Sequence, residues 1–586
     1  MHWLDWLILI GTLAFIVGYG VWKTRRTETV QGYLRGDNED RWWAVCLSVM
    51  ATQASAITFL STPGQGFLDG MGFVQFYFGL PLAMVVIAYV FIPLFYKWNV
   101  YTAYEFIGKR FDHRTQLLTA ILFLIQRCLS TGFTIYAPSI VLSKVLHWPL
   151  GWTCVFIGGL VILYTTTGGA KAVGVTHKQQ MAVMFGGLFV AFGFIVHQLS
   201  DTISFGESLQ LADALGKLDV IDTSWDPAVK YTLWSGLIGG FFLQLSYFGT
   251  DQSQVQRYLT GQTMQQARRG LLVNGLLKIP MQFFILLIGV LVFVFYLFNP
   301  APVHWNAANV KALSTEVSGE LGNGKARTIG TMHAQNTMAI EEQAKVWVAT
   351  NRSGQPVVDD ATSGLRAALA TGGALREDYR EQVKALSKDA EPNDKDYIFI
   401  SFIMDHLPVG IVGLLLAMIF CAGMGSTSSQ LSALATTAVV DIFRSDRSGT
   451  QQVLATKWAT VAFGILALGF AAVFPLFDNL IQAVNILGSL FYGTILGVFL
   501  VAFFLKRIQG RAVFIAGLAA QFLTLVHFAL DKFDVFASSL PDGSLHDPLE
   551  IAFLWYNLIA PAIVIALALL VQRISKPPLA VQDLHR

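Results

Sequence analysis

Between Leu414 and Phe443 an otherwise apolar, helix-length stretch carries a dense polar seam: Cys421, Gly423, Gly425, Ser426, Thr427, Ser428, Ser429, Gln430 and Ser432. Hydroxyls and small residues inside a membrane helix either let another helix approach closely or line a wet cavity for an ion or solute. A second seam, Thr52, Gln53, Ser55, Thr58, Ser61 and Thr62, interrupts the run from Trp42 to Pro63 and ends in Pro63 and Gly64. A helix of this content is a candidate for local unwinding, which frees backbone carbonyls to bind a cation near the bilayer midplane. Close packing through small residues accounts for it equally well.

Two cations are harder to place. Arg127 lies in the middle of one apolar segment and Lys278 well inside another. Each costs about 2.5 to 3.5 kcal/mol at a helix centre on insertion scales. No acid is expected at comparable depth, because Asp251 and Asp441 fall at the cytoplasmic ends of their segments and Asp69 and Glu105 in loops. Snorkelling suits Lys278 better than Arg127. The preferred reading is that both face a cavity in which an anionic substrate supplies the missing charge. Ser130 lies one turn beyond Arg127, Gln244 and Tyr247 share a segment, and Gln482, Asn485 and Ser489 fall on one helical face, where helix-to-helix hydrogen bonding is the alternative. His177 and His197 lack metal-ligand spacing, and neither GxSxG nor a phosphate-binding loop is present. An enzyme is therefore not expected; a solute carrier driven by an ion gradient is.

The elements that must position these residues are membrane helices. With 54% hydrophobic and 13% charged residues over 586 positions, the chain is no ordinary soluble globule. About thirteen windows are apolar over roughly 18 to 25 residues, enough to cross a bilayer. They centre near Ile10, Met50, Ile87, Phe133, Leu160, Phe189, Ile238, Leu286, Leu416, Leu468, Gly497, Leu518 and Ile563. An all-α, polytopic fold follows, since open sheet edges are not tolerated in lipid.

Basic residues mark every second loop: Lys23, Arg25, Arg26, Arg35 and Arg41; Lys109, Arg110 and Arg114; Lys171 and Lys178; Arg257, Arg268 and Arg269; Arg444 and Arg447; Lys506, Arg507 and Arg511. The positive-inside rule places the N-terminus outside and the C-terminus, with Arg573 and Lys576, in the cytoplasm. The first span has its charges behind it and reads as a retained helix. Cys46, Cys128, Cys154 and Cys421 fall in spans without a CxxC pair, which excludes a disulfide framework and a zinc site, and a net charge of +2 indicates no nucleic-acid partner. Residues 299 to 396 form a polar extracytoplasmic insertion with helical stretches such as Ala339 to Ala349 and Gly364 to Ala385.

Four ordered motifs then carry a resemblance. TGGAKAVGVTHKQQ (167 to 180), GTDQSQVQRYLTGQTMQQAR (249 to 268), YTAYEFIGKRF (101 to 111) and SQLSALATTAVVDIF (429 to 443) resemble the sodium:solute symporter family, from about Trp42 to Arg507 apart from the insertion. The resemblance implies a LeuT-like core of two inverted five-helix repeats, 42–199 and 230–505. Residues 1–41 supply one helix and a cytoplasmic loop ahead of it, and 506–586 two helices and a tail behind it. TIYAPSIVLS (134 to 143), FIPLFYKWNVYTAYEF (91 to 106) and SAITFLSTPG (55 to 64) look most like the branch that carries monocarboxylates, acidic vitamins and iodide.

The family's shared sodium site, carried over by these motifs, takes carbonyls from Ala51, Ala54 and Ala422 and a hydroxyl from Ser426. Gly425 stands where many members have a second serine, which either weakens the site or leaves its role to Thr427. His177 stands where many carry an aspartate linked to an additional sodium site, so that extra site is not expected. The positions that read sugars in relatives are here Thr58, Tyr77 and Leu80, a set that argues against a hexose. Gln244, Lys278 and Asn485 resemble substrate-pocket positions, Tyr247 the aromatic that closes the pocket from the cytoplasm, and Ser130 the arginine that clamps a carboxylate in sialic acid carriers.

The resulting expectation is a plasma-membrane symporter that imports a small organic anion with co-transported sodium by alternating access. The alternatives are a sodium symporter for a neutral sugar, polyol or amino acid, and a receptor of the same fold, for which the tail after Val571 is short. An active site in the insertion, around His304 and His333, has no recognisable pairing of catalytic groups.

Overall fold

The computed structural model describes residues 1–24, 29–146, 148–315, 323–353, 359–386, 392–443, 449–471, 480–533, 535, 536, 538, 539, 545, 546 and 548–575. Arg25, Arg26, Arg444, Arg447 and Lys576, on which the orientation partly rests, lie outside them. The regular structure of the described residues is helical apart from one two-residue antiparallel pairing, Ser538–Ser539 with Leu545–His546, and an isolated parallel bridge between Asp40 and Gly261.

The membrane domain begins with α1 (Trp3–Thr24), the broken pair α2 (Trp42–Gln53) and α3 (Ala56–Asp69), the composite span α4 (Gly72–Trp98), α5 (His113–Leu146) and α6 (Leu150–Ser200). It continues through α7 (Gly240–Thr250), α8 (Gln252–Tyr258) and α9 (Met264–Phe298). After the insertion helices α10 (Asn323–Arg352) and α11 (Asp359–Leu386) come α12 (Ile411–Thr437), α13 (Gly449–Ala471), α14 (Leu480–Phe504), α15 (Gly510–Lys532) and α16 (Tyr556–Ile574).

Among the described residues ten helices are long and apolar enough to cross a bilayer, eleven with the broken pair, against the thirteen expected. Two features explain the difference. The segments near Leu160 and Phe189 share the single 51-residue α6, which at 1.5 Å per residue would run about 76 Å. A bilayer core is only about 30 Å thick. Gly169 breaks this helix with a φ of 54° and a ψ of −145°, a conformation open to glycine but not to side-chain-bearing residues. The segment near Ile238 is a π turn, Ser235–Gly239, followed by the 11-residue α7, and falls short of a full span.

The polar seam lies on α12, and 89% of its apolar window is buried, compared with 22% for α1 and 28% for α13. The seam therefore faces protein, not lipid. Helices α3 and α9 cross at van der Waals distance through two glycines: a Cβ on Gly66 would lie 2.4 Å from the Leu286 carbonyl, and one on Gly289 2.1 Å from that of Pro63. Pro63 sits inside α3 rather than at its break.

The insertion is more regular than expected. The stretches 339–349 and 364–385 are parts of α10 and α11, which form a hairpin with its own core of Leu313, Ala326, Ile329, Leu375, Tyr379 and Val383. It docks on the membrane domain through Arg352 on Glu207 (2.7 Å), and its own two ends are tied by Asp394, which accepts from the Trp305 amide (2.6 Å) and pairs with Arg380 (2.9 Å).

Candidate functional site

Helices α2 and α3 meet at a 66° bend. In a continuous helix the Ser55 amide would return to the Ala51 carbonyl; here it donates to the Gln53 carbonyl at 3.0 Å, and Ala54 leaves the helix with ψ 80°. This break faces α12. The Thr52 and Ser429 hydroxyls meet at 2.9 Å, and a Cβ on Gly423 would lie 3.4 Å from that of Ala56. On α12 the Ser426 hydroxyl donates to the Ala422 carbonyl at 3.0 Å, so two expected sodium ligands are neighbours. The chemistry is that of a hard-cation site: neutral oxygens, an interrupted helix and a polar wall, all buried.

Gly425 and Thr427 divide at this point. A Cβ on Gly425 would come within 2.7 Å of Gln180 Oε1 and 3.5 Å of the His177 ring, so α6 fills the space a second serine would take. Thr427 turns to α5 instead and donates to the Thr134 hydroxyl at 3.1 Å. Residues two apart on a helix point about 200° from each other, so Thr427 lies on a different face from Gly425. His177 bridges three helices: Nδ1 lies 2.9 Å from the Ser48 hydroxyl, and Nε2 lies 3.2 Å from the Gly425 carbonyl and 3.3 Å from the Ser429 hydroxyl. A neutral imidazole fits, donating from Nε2 to the carbonyl and accepting at Nδ1.

Beside the break lies a central cavity of about 90 Å³. Thr58, Tyr77, Arg127, Ser130, Gln244, Tyr247 and Asn485 all line it. Of the residues that share a face with Asn485, Gln482 lines a separate pocket with Asp69 and Lys395, and Ser489 accepts from Asn557 on α16 at 2.8 Å. Tyr492 also lines the cavity and was not anticipated. Its position seven residues after Asn485, on the same helical face, is the signal that pointed to it.

The two buried cations have different surroundings. Arg127 pairs with Asp251 and donates to the Tyr492 hydroxyl, which in turn donates to Asp251 at 3.0 Å; its guanidinium also lies 5.5 Å from the centre of the Tyr247 ring. The expectation that Arg127 lacks an acid is thus overturned. Asp251 does end its segment, but the chain there leaves α7 in an extended conformation and turns directly into α8. That turn tucks under the cavity, where Asp251 is 1% exposed and also caps α8 through the Ser253 amide at 2.8 Å.

Lys278 does not line the cavity. It is fully buried on α9, with its ammonium 5.8 Å from the centre of the Tyr77 ring that forms the cavity wall. Its Nζ has no hydrogen-bond partner among the described residues. One turn to either side, the buried amides of Asn274 and Gln282 are also unpartnered.

Relatives add the remaining context. The profile of the sodium:solute symporter family matches residues 33–318 and 385–519. The chain is 31% identical to mouse sodium-coupled monocarboxylate transporter 2 over 46% of its own length and 44% of that protein, so it spans under half of that relative. It is 26% identical to mouse sodium-coupled monocarboxylate transporter 1 over 84% and 68%, and 29% identical to the human sodium/iodide cotransporter over 50% and 45%. A Na+-coupled sialic acid symporter in its substrate-bound, outward-open state superposes over 98% of both chains with a TM-score of 0.67 at 22% identity, which establishes a shared, LeuT-like fold. With the profile covering well over half its length, this integral membrane protein belongs to the sodium:solute symporter family.

Proposed function

We propose that the chain is a plasma-membrane symporter that couples sodium to the import of a small monocarboxylate by alternating access. The two repeats are 42–199 and 230–505, and the insertion side is extracytoplasmic. The observation that carries the anion assignment is Lys278: a fully buried ammonium with no partner among the described residues, next to the cavity and behind Tyr77. A buried charge of this kind needs a counter-charge, and a substrate carboxylate that reaches past a displaced Tyr77 supplies it. Thr58, Ser130, Gln244 and Asn485 offer the remaining polar contacts. The small cavity favours a short carboxylate.

Arg127 takes a different role from the one its sequence position implied. Already neutralised by Asp251, it forms with Tyr492 and Tyr247 the floor that closes the cavity opposite the insertion. Opening that floor requires the Arg127–Asp251 pair to part or move as a unit. Sodium binds at the Ala51, Ala54 and Ala422 carbonyls and the Ser426 hydroxyl, and strengthens carboxylate binding by reciprocal coupling.

His177 occupies the additional sodium position as a neutral bridge, so one sodium accompanies one monoanion. The voltage contribution, about 2.3 kcal/mol per charge per 100 mV, then cancels. Uptake of labelled short-chain carboxylates into proteoliposomes tests this reading. Sodium-dependent uptake without substrate-evoked current is expected. Uptake indifferent to sodium contradicts symport, preference for a neutral solute contradicts the anion, and a robust inward current contradicts the stoichiometry.

A further inference from the structure

The insertion encloses a second cavity, of about 390 Å³, between α10 and α11 on one side and the ends of α3 and α9 on the other. Its charged lining is of one sign. Lys217, Arg366 and Arg376 face it, and no carboxylate among the described residues does. Each cation is held by neutral groups. The Lys217 ammonium lies 4.6 Å from the centre of the Phe293 ring and donates to the Leu68 carbonyl. Arg366 donates to the Ala214 carbonyl at 2.6 Å. Arg376 stacks on Trp305 at 5.5 Å, donates to the Pro302 carbonyl at 3.3 Å and donates through Nε to His333 Nε2 at 3.3 Å.

None of the three cations forms an ion pair among the described residues. The nearest acids that influence them are engaged elsewhere: Asp69 accepts from Gln65, and Asp394 is held by Arg380 and the Trp305 amide. Burial accordingly pushes the Arg376 guanidinium down to about 10, and burial together with Arg376 pushes His333 down to about 4. At neutral pH His333 is thus an uncharged acceptor that orients Arg376. The opposite wall is apolar, with Phe67, Phe293, Tyr296 and Leu297.

We propose that this cavity is a second anion site, outside the central one, that holds an organic carboxylate with an aromatic or branched apolar body between Lys217, Arg366 and Arg376. The carboxylate supplies the charge these cations lack, and the aromatic wall takes the body. Because the cavity is roofed by α10 and α11, its occupancy ties the insertion to the ends of α3 and α9. The site does not depend on the assignment of the central cavity.

Benzoate is a suitable probe, with benzyl alcohol as its neutral counterpart, titrated calorimetrically into the purified full-length chain. Benzoate is expected to bind at least tenfold more tightly than benzyl alcohol, and Arg376→Gln and Lys217→Met are each expected to weaken it by about tenfold or more. In Lys278→Gln, benzoate binding is expected to remain sensitive to both outer substitutions. Lys217→Met keeps the test decisive if Arg376→Gln does not fold. Three results overturn the proposal: equal binding of the alcohol, indifference to both outer variants, or no benzoate binding up to about 10 mM, the millimolar range of a weak small-ligand site. Loss in Lys278→Gln with the outer variants unaffected also overturns it, by placing the probe in the central cavity.

Discussion

Arg127 and Lys278 are both cations buried at membrane depth, 3% and 0% exposed, on helices that flank one cavity. One is answered by the protein and the other is not. Arg127 meets Asp251, Tyr492 and Tyr247; Lys278 meets the face of one aromatic ring and has no hydrogen-bond partner among the described residues. A satisfied buried charge is a structural joint, whereas an unsatisfied one is held in reserve for a ligand. In this chain the paired cation lines the cavity and the unpaired one lies behind its Tyr77 wall; under the proposed function the first is a joint and the second answers the substrate.

Breaking the joint is expected to have the largest effect. Arg127→Met strands Asp251 in the interior and is predicted to cost about 3 to 5 kcal/mol, read as a fall in thermal midpoint. Arg127→Met with Asp251→Leu should recover most of that loss. If the single change is silent, the pair is not the joint described here.

Lys278→Met is predicted to move stability the other way, from neutral to about 1 to 4 kcal/mol more stable, because it removes a buried charge without orphaning a partner. A destabilisation as large as that of Arg127→Met would erase the distinction between the two sites.

A third buried ionisable group, Asp396 at the end of the insertion, extends the comparison. Burial pushes the Asp396 carboxyl up from 3.8 to about 6, although it accepts from the Leu480 amide at 3.3 Å. A raised carboxyl favours the folded state most when protonated. Its contribution should be full below about pH 4 and lost as pH rises through about 6. The unfolding free energies of the wild type and Asp396→Asn should therefore converge at low pH and separate by about 2 kcal/mol or less at neutral pH, with the wild type the lower. Parallel curves would show that Asp396 is not poorly solvated.

The smallest effect is expected at Ser426. Removing one neutral oxygen from the sodium site with Ser426→Ala should raise the sodium concentration for half-maximal uptake by roughly threefold to tenfold, about 1 kcal/mol. Carboxylate affinity at saturating sodium should change little, which separates the sodium contribution from that of Lys278. An unchanged sodium dependence would move the cation site elsewhere.

What the sequence disclosed and what it concealed divide along the same physical line. The apolar windows, the two polar seams and the break between α2 and α3 are local features, and each was legible in residue types and spacing. Asp251 was not, because depth was judged along its own segment, while its burial arises from a turn into α8 that packs beneath another helix. The apolar windows near Leu160 and Phe189 lie on either side of Gly169, where α6 breaks; hydropathy marks both crossings but not that they follow one another without an intervening loop. Lys278 was placed in the cavity, and Tyr77 intervenes; which side chain screens which is a matter of packing. The insertion's acid-free pocket unites Lys217 with Arg366 and Arg376, far apart in the chain, and no local pattern announces it.

The most direct test of the central claim is a comparison of a carboxylate with its own amide. In the presence of sodium, the short-chain carboxylate that most stabilises the wild-type chain should bind about thirtyfold or more tightly than its amide, and Lys278→Gln should abolish that preference, a loss of about 2 kcal/mol. If Lys278→Gln retains the wild-type preference, the carboxylate is recognised elsewhere and the division of roles between Arg127 and Lys278 is wrong.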